Sequence, residues 1–112
     1  KNAAALVIVI SKKTFEMNGK SSVTHRFDTG AAWENLALEA TARGLVAHGM
    51  EGFDYAKARQ VLEIPDDYDV EAMVAIGKKG KKEDLPPALQ ELEAPSDRKP
   101  LADIIMEGKF RG

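Results

Sequence analysis

Two glycines enclose a methionine and a glutamate in the segment 47–54, which reads AHGMEGFD. We interpret this segment as a junction between a long apolar helix and a short amphipathic one. A simple turn needs one glycine, whereas two glycines allow a flat or bulky group to approach the backbone closely. The segment therefore predicts a binding loop in which Gly49 and Gly52 give access to the main chain beside Met50 and Glu51.

The composition of the 112-residue chain excludes several classes of site. The chain has no cysteine, which rules out disulfides, thiolate metal sites and cysteine nucleophiles, and fits a reducing compartment such as the cytoplasm. Its formal net charge of -2 gives no indication of a nucleic-acid partner. No apolar run approaches the roughly 20 residues of a membrane span. The 44% hydrophobic content is enough for the core of one domain.

Other residues that could carry chemistry have simpler structural explanations. His25 and His48 are far apart in the sequence and do not indicate a metal site. At the end of the predicted helix, His48 could complement the helix dipole or line a pocket. Trp33 is explained more readily by packing than by substrate binding. The basic run KKGKK at 78–82 has no interleaved aromatic residues, so we interpret it as a solvated loop rather than a nucleic-acid site.

Two apolar segments predict β-strands. Residues 3–10, AAALVIVI, form a continuous run rich in β-branched residues, which is typical of a strand covered on both faces. Residues 70–76, VEAMVAI, predict a second strand that ends at Gly77. After the first strand, Asn18-Gly19 predicts a turn whose flanks form either a short hairpin or an irregular loop.

The longest helix is predicted to begin at Asp28, whose carboxylate can accept hydrogen bonds from the free amides of a first turn. The segment 31–43, AAWENLALEATAR, has apolar residues on nearly every face, which indicates a helix that is buried on all sides. Glu39 and Arg43 are spaced to form an ion pair. Gly44 suits the left-handed residue that ends a helix.

Two shorter helices are also predicted. Asp54 can cap a helix that Pro65 would stop, and Pro86-Pro87 can begin another. Two strands and a helix that needs burial on every side do not form a self-sufficient fold. We therefore interpret residues 1–112 as a single partial domain of a larger fold, or as the obligate partner of another chain.

Five motifs, in this order along the chain, resemble the nitroreductase family of flavoproteins. They correspond to its central helix, its flavin-contacting loop, the turn that follows, the next core strand and a carboxy-terminal segment whose basic residues reach the flavin phosphate. In this sequence they are DTGAA with NLALEA and RGL at 28–45, HGMEGFD at 48–54, LEIP at 62–65, VAIG at 74–77 and APSDRKPL at 94–101.

The resemblance implies an α+β fold, part of a nitroreductase-like sandwich in which helices pack a mainly antiparallel sheet around a buried central helix. It also implies a homodimer with FMN at the interface, and electron transfer from NADH or NADPH to nitroaromatics, quinones or related acceptors. The alternative is a non-catalytic module of the same fold that binds flavin or another ligand. The match covers the carboxy-terminal half of such an enzyme, so we expect the amino-terminal phosphate-binding segment to be absent.

The resemblance also assigns cofactor-binding residues. The backbone N–H groups of Glu51 and Gly52 are expected to face the N5/O4 edge of the flavin, with Met50 beside the ring. Arg98 is expected to contact the FMN phosphate, because its planar fork suits phosphate oxygens. Many relatives have a basic residue where this chain has Ser96, whose hydroxyl can donate one weaker bond. No catalytic residue and no metal ligand is assigned.

Overall fold

The computed structural model describes residues 3–110, in two compact units, one that ends at Lys79 and one that begins at Gly80. No helix in this range is long and apolar enough to cross a membrane. The regular elements in chain order are β1 (Ala5–Lys12), α1 (His25–Ala42), β2 (Val46–Met50), α2 (Tyr55–Val61), β3 (Tyr68–Gly77) and α3 (Pro87–Leu92).

The strands of the first unit form an antiparallel sheet in the order β1-β3-β2. Both predicted strands are confirmed. β1 begins and ends two residues later than predicted, and β3 extends beyond its predicted bounds at both ends. The prediction that 47–54 joins two helices is wrong, because Val46–Met50 is an edge strand paired with β3. This short strand has no apolar run of its own, so its identity depends on the backbone partners that β3 supplies.

Residues that pair directly across strands lie on the same face of the sheet, and successive residues of a strand alternate between its two faces. We call the face that α1 covers the helix face; it carries Val74, which is fully buried, and its neighbours Val9 and Ala72. We call the opposite side the open face. It carries Leu6 and Val46, which are 64% and 44% exposed.

A β-bulge interrupts the pairing of β1 with β3. Val9 lies opposite Ala72 and Ile10 opposite Val70, so Glu71 is an extra residue without a partner on β1. A bulge bends its strand and changes the direction of a side chain. Here it brings the Glu71 carboxylate to the helix face together with Ala72.

Helix α1 begins at His25, three residues before the predicted start, and Thr24 is its N-cap residue. Asp28 therefore lies in the first turn, where it accepts a hydrogen bond from the Thr24 hydroxyl at 3.2 Å. A carboxylate in this position still favours the helix through the macrodipole. Asp28 is therefore near the start of the helix, as predicted, but it is a residue of the first turn and not the N-cap.

The predicted end of α1 is confirmed. Gly44 has a left-handed φ of 70°, and its N–H donates to the carbonyl of Thr41 at 2.9 Å. The N–H of Leu45 donates to the carbonyl of Ala40 at 2.8 Å, which completes a Schellman motif. The predicted ion pair in the last turn is also present, with Arg43 Nε 2.6 Å from Glu39 Oε1.

The α+β class and the antiparallel sheet packed by helices are confirmed, but burial of α1 on all sides is not found in this chain. Ala40 is buried, whereas Phe27 is 78% exposed and Leu38 is 60% exposed. One side of α1 packs on the sheet, and the described part of the first unit provides no second layer over the other side.

Helix α2 begins as predicted, because the Asp54 carboxylate accepts the N–H of Lys57 at 2.9 Å. It ends before Pro65, which corrects the predicted stop. Glu63 adopts a left-handed φ of 51°, and the N–H of Ile64 donates to the carbonyl of Arg59 at 3.0 Å. A non-glycine residue therefore occupies the position that glycine usually takes in this motif.

Two smaller predictions concern loops. Thr14 pairs with Ser21 around Gly19, whose φ is 68°, so the undecided turn after β1 is a short hairpin-like loop. In the second unit, α3 begins directly after Pro86, as predicted. The basic residues at 78–82 are exposed, as expected of a solvated loop.

Candidate functional site

The predicted binding loop follows the end of edge strand β2. Met50 is the last residue of the strand and pairs with Met73, which places its side chain on the open face. Glu51 and Gly52 come next and are exposed. Within residues 3–110, neither of their N–H groups donates a turn or loop hydrogen bond. The loop therefore presents two successive backbone donors to solvent.

The two glycines of the loop motif have different surroundings. A Cβ atom added to Gly49 would lie 3.3 Å from Cζ2 of Trp33, so this glycine allows close packing of α1 on β2. A Cβ atom added to Gly52 would meet no atom within 4 Å, and Gly52 does not have a left-handed φ. The expectation that both glycines serve ligand access is therefore corrected for Gly49 and remains a prediction for Gly52.

Several contacts fix the loop to its neighbours. The rings of Phe53 and Tyr55 stack with their centroids 4.0 Å apart, and the Phe53 N–H donates to the carbonyl of Glu51 at 2.8 Å. The Tyr55 hydroxyl approaches the carbonyl of Glu71 at 3.5 Å. The exposed donors thus lie on a loop that is held at both ends by the strand and by the capped helix α2.

The other two predicted cofactor residues lie together in the second unit. Arg98 Nη1 donates to the Ser96 hydroxyl at 3.0 Å, and both residues are exposed. Arg98 forms no ion pair within the described part of the chain. Its positive charge is therefore not neutralised by a neighbouring carboxylate there. The predicted site residues thus fall into two groups, Met50 to Gly52 in the first unit and this pair in the second.

A cluster of polar side chains on the helix face was not predicted. Ser11 is 2% exposed, and its hydroxyl donates to Glu71 Oε1 at 2.5 Å and lies 2.8 Å from His25 Nδ1. Because the single hydroxyl proton points to the carboxylate, His25 Nδ1 must be the donor in the second bond. We call Ser11, His25, Arg26, Asp69 and Glu71 the polar cluster.

Arg26 balances the carboxylates of the polar cluster. Its Nη2 lies 2.7 Å from Asp69 Oδ2, and its Nε lies 3.4 Å from Glu71 Oε1. The hydrogen bond from Arg26 is the main cause that lowers the pKa of Asp69, which desolvation partly opposes. The ligand atoms of His25, Asp69 and Glu71 lie within 4.8 Å of one another, which is a spacing compatible with a metal ion. The guanidinium and the Ser11 hydroxyl already engage these carboxylates.

Sequence reasoning missed this cluster because its members come from three separate elements. The available signal was weak: Ser11 follows an apolar run, and Asp69 and Glu71 interrupt an otherwise apolar strand. The bulge that aligns Glu71 with the others leaves no recognisable mark in the sequence.

Comparison with known proteins identifies the family of this chain. The model of the nitroreductase family matches residues 1–78. A crystal structure described as an oxidoreductase containing FMN is 47% identical, with a TM-score of 0.91, over 100% of this chain and 58% of that chain. A 15.4 kDa protein from the ask 5′ region of Mycolicibacterium smegmatis is 32% identical over 96% of this chain and 72% of its own length.

A further relative, protein DrgA of Synechocystis sp., is 44% identical over 57 residues, which are 51% of this chain and 26% of that protein. The chain therefore spans a little over half the length of the FMN-containing structure, and the 57 residues matched in DrgA are about a quarter of that protein. The family match covers the sheet, α1, the loop after β2 and α2. This chain belongs to the nitroreductase family.

Proposed function

We propose that the protein is an FMN-dependent oxidoreductase that passes electrons from NADH or NADPH to nitroaromatic, quinone or related acceptors. The observation that carries this proposal is the pair of exposed backbone donors at Glu51 and Gly52. Membership of the nitroreductase family and the similarity to an FMN-containing oxidoreductase support it.

In each unit, taken by itself, the chemistry of the proposed site residues suits one part of FMN. Open space around Gly52 allows a flat ring to approach the backbone, and Met50 offers a polarisable side chain beside it. The N–H groups of Glu51 and Gly52 would donate to the ring edge where negative charge develops on reduction, which stabilises that charge with little reorganisation. Arg98 and Ser96 would hold the phosphate. When bound, FMN supplies the redox chemistry itself.

We further infer that the protein works as a cytoplasmic homodimer with the flavin site at the interface. Exposed apolar side chains on α1, Phe27 and Leu38 among them, support an interaction surface, because large exposed apolar patches mark such sites. The absence of cysteine supports a reducing compartment. Sedimentation equilibrium should give twice the monomer mass, and a monomer at all accessible concentrations would contradict the dimer.

The direct test is the visible spectrum of the purified protein. We expect it to be yellow with FMN and to be bleached by NADH or NADPH without oxygen. A colourless protein that takes up no FMN on reconstitution would contradict the proposal. A yellow protein that neither nucleotide bleaches would favour a non-catalytic flavin-binding module instead.

A further inference from the structure

A cavity of about 140 Å³, half open to solvent, lies between α1 and the helix face of the sheet, within the first unit. Its apolar wall is formed by Val9, Trp33, Ala72 and Val74, and its polar end by Arg26 and Glu71. An apolar protein cavity of about 150 Å³ can bind one benzene molecule. The size therefore suits a single aromatic ring with a small substituent.

Small residues at the wall keep this space open. Gly49 lets the Trp33 ring lie directly on β2, because an added Cβ atom would be 3.3 Å from Cζ2 of that ring. Ala72 contributes one methyl group at a position where a larger side chain would enter the cavity. The flat side chain of Trp33 is a suitable surface for a second aromatic ring.

The polar end of the cavity is held in place and retains hydrogen-bonding capacity. The bulge brings Glu71 to this face, and the buried Ser11 hydroxyl binds its Oε1. Arg26 uses Nη2 for Asp69 and Nε for Glu71. Among residues 3–110, Nη1 of Arg26 and Oε2 of Glu71 therefore remain for a ligand that both donates and accepts.

We propose that this cavity binds a neutral one-ring aromatic compound that carries a hydroxyl or carboxamide group. The ring lies against Trp33, and the polar group donates to Glu71 and accepts from Arg26. A neutral ligand is favoured because the carboxylates of Asp69 and Glu71 are balanced by Arg26 and by Lys13, whose Nζ lies 3.9 Å from Asp69. The cavity is on the helix face, whereas Met50 is on the open face, so this proposal does not depend on flavin binding.

The test is a titration of the purified protein with phenol, followed by the emission of Trp33, the single tryptophan of these 112 residues. We expect saturable binding with a dissociation constant between roughly 10 μM and 1 mM, the range for a ligand of this size. Benzene lacks the hydrogen bonds and benzoate adds a negative charge beside Glu71, so both should bind at least about fivefold more weakly. Failure of phenol to saturate at millimolar concentrations would overturn the proposal.

Two variants locate the site. Ala72→Leu fills the cavity and should weaken phenol binding at least about tenfold, since the ring then has no space. Ala75→Leu is the matched control, because strand alternation places Ala75 on the open face, and it should leave binding unchanged. Equal losses in both would overturn the assignment of the cavity.

A third variant tests the polar end without changing the volume. Glu71→Gln should reduce the preference for phenol over benzene while benzene binding is retained. An unchanged preference would overturn the role of Glu71. Thermal unfolding of each variant establishes that it is folded.

Discussion

Gly49 and Gly52 enclose the same two residues, yet one is closely packed and the other is not. Gly49 faces Trp33 on the helix face, close to the polar cluster and the cavity. Gly52 lies in a loop with open space around it and free backbone donors beside it. The same residue type in one short motif therefore allows close packing at Gly49 and leaves open space at Gly52.

We predict that changes at Gly52 and, in the second unit, at Arg98 affect cofactor binding, whereas a change at Gly49 affects stability. The largest effect is expected for Arg98→Ala, which should weaken FMN binding by about 1.5–3 kcal/mol, the range for hydrogen bonds to a charged group. This corresponds to about ten- to a hundredfold in the dissociation constant. A flavin titration measures it, and Arg98→Lys should recover part of the loss because a point charge replaces a fork.

Two controls make the Arg98 result specific. Riboflavin lacks the phosphate, so it should bind equally to the wild type and to Arg98→Ala. The neighbouring exposed residue Lys99 has the same charge, and Lys99→Ala should have a smaller effect on FMN. Equal losses for FMN and riboflavin would mean that Arg98 shapes the site without holding the phosphate.

On the helix face, Gly49→Val should lower the free energy of unfolding by about 1–3 kcal/mol, because the valine side chain would clash with the Trp33 ring. Gly52→Val is the matched control and should change stability by less than about 0.5 kcal/mol. Urea denaturation of both variants measures the difference. Equal stability losses would remove the structural distinction between the two glycines.

The same Gly52→Val variant should weaken FMN binding by about tenfold, because a β-branched side chain would occupy the space that the ring needs. Glu51→Gln should have little effect, since it preserves the backbone donors. Flavin titration and the rate of reduction by NADH compare the two variants. Near-normal values in both would show that the loop does not contact the cofactor.

The smallest expected effect concerns the charge balance of the polar cluster. The Arg26 hydrogen bond lowers the pKa of Asp69, so its stabilising contribution is present above the unfolded pKa of about 3.9 and is lost as the pH falls through the lower folded value. Arg26→Ala should therefore raise the pKa of Asp69 toward its ordinary value. Carboxyl carbon shifts followed by NMR against pH measure this change, and an unchanged pKa would contradict the role of Arg26.

Local signals in the sequence were sufficient for much of the first unit. Continuous apolar runs identified β1 and β3, and Gly44 and Asp54 identified the end of one helix and the start of another. These features depend on residues close together in the chain. The order of the motifs along the chain also identified the family.

The features that were missed depend on tertiary contacts. Strand β2 requires the partner backbone of β3, and the role of Gly49 depends on Trp33, which lies on another element. The end of α2 was assigned to Pro65, whereas Glu63 takes the strained left-handed conformation that a sequence pattern would reserve for glycine. The polar cluster requires both the sheet register and its bulge.

The bulge at Glu71 is also a position at which the strand can lose one residue without disruption of the sheet. Glu71 is the extra residue between two stretches of regular pairing, one from Val9 toward Ala5 and one from Ile10 to Lys12. Deletion of its codon would join these stretches into one continuous ladder and leave every other side chain on its present face. The Ser11 hydroxyl would lose its acceptor and the cavity its carboxylate. A single-codon event can therefore add or remove this polar end in a relative without repacking the sheet.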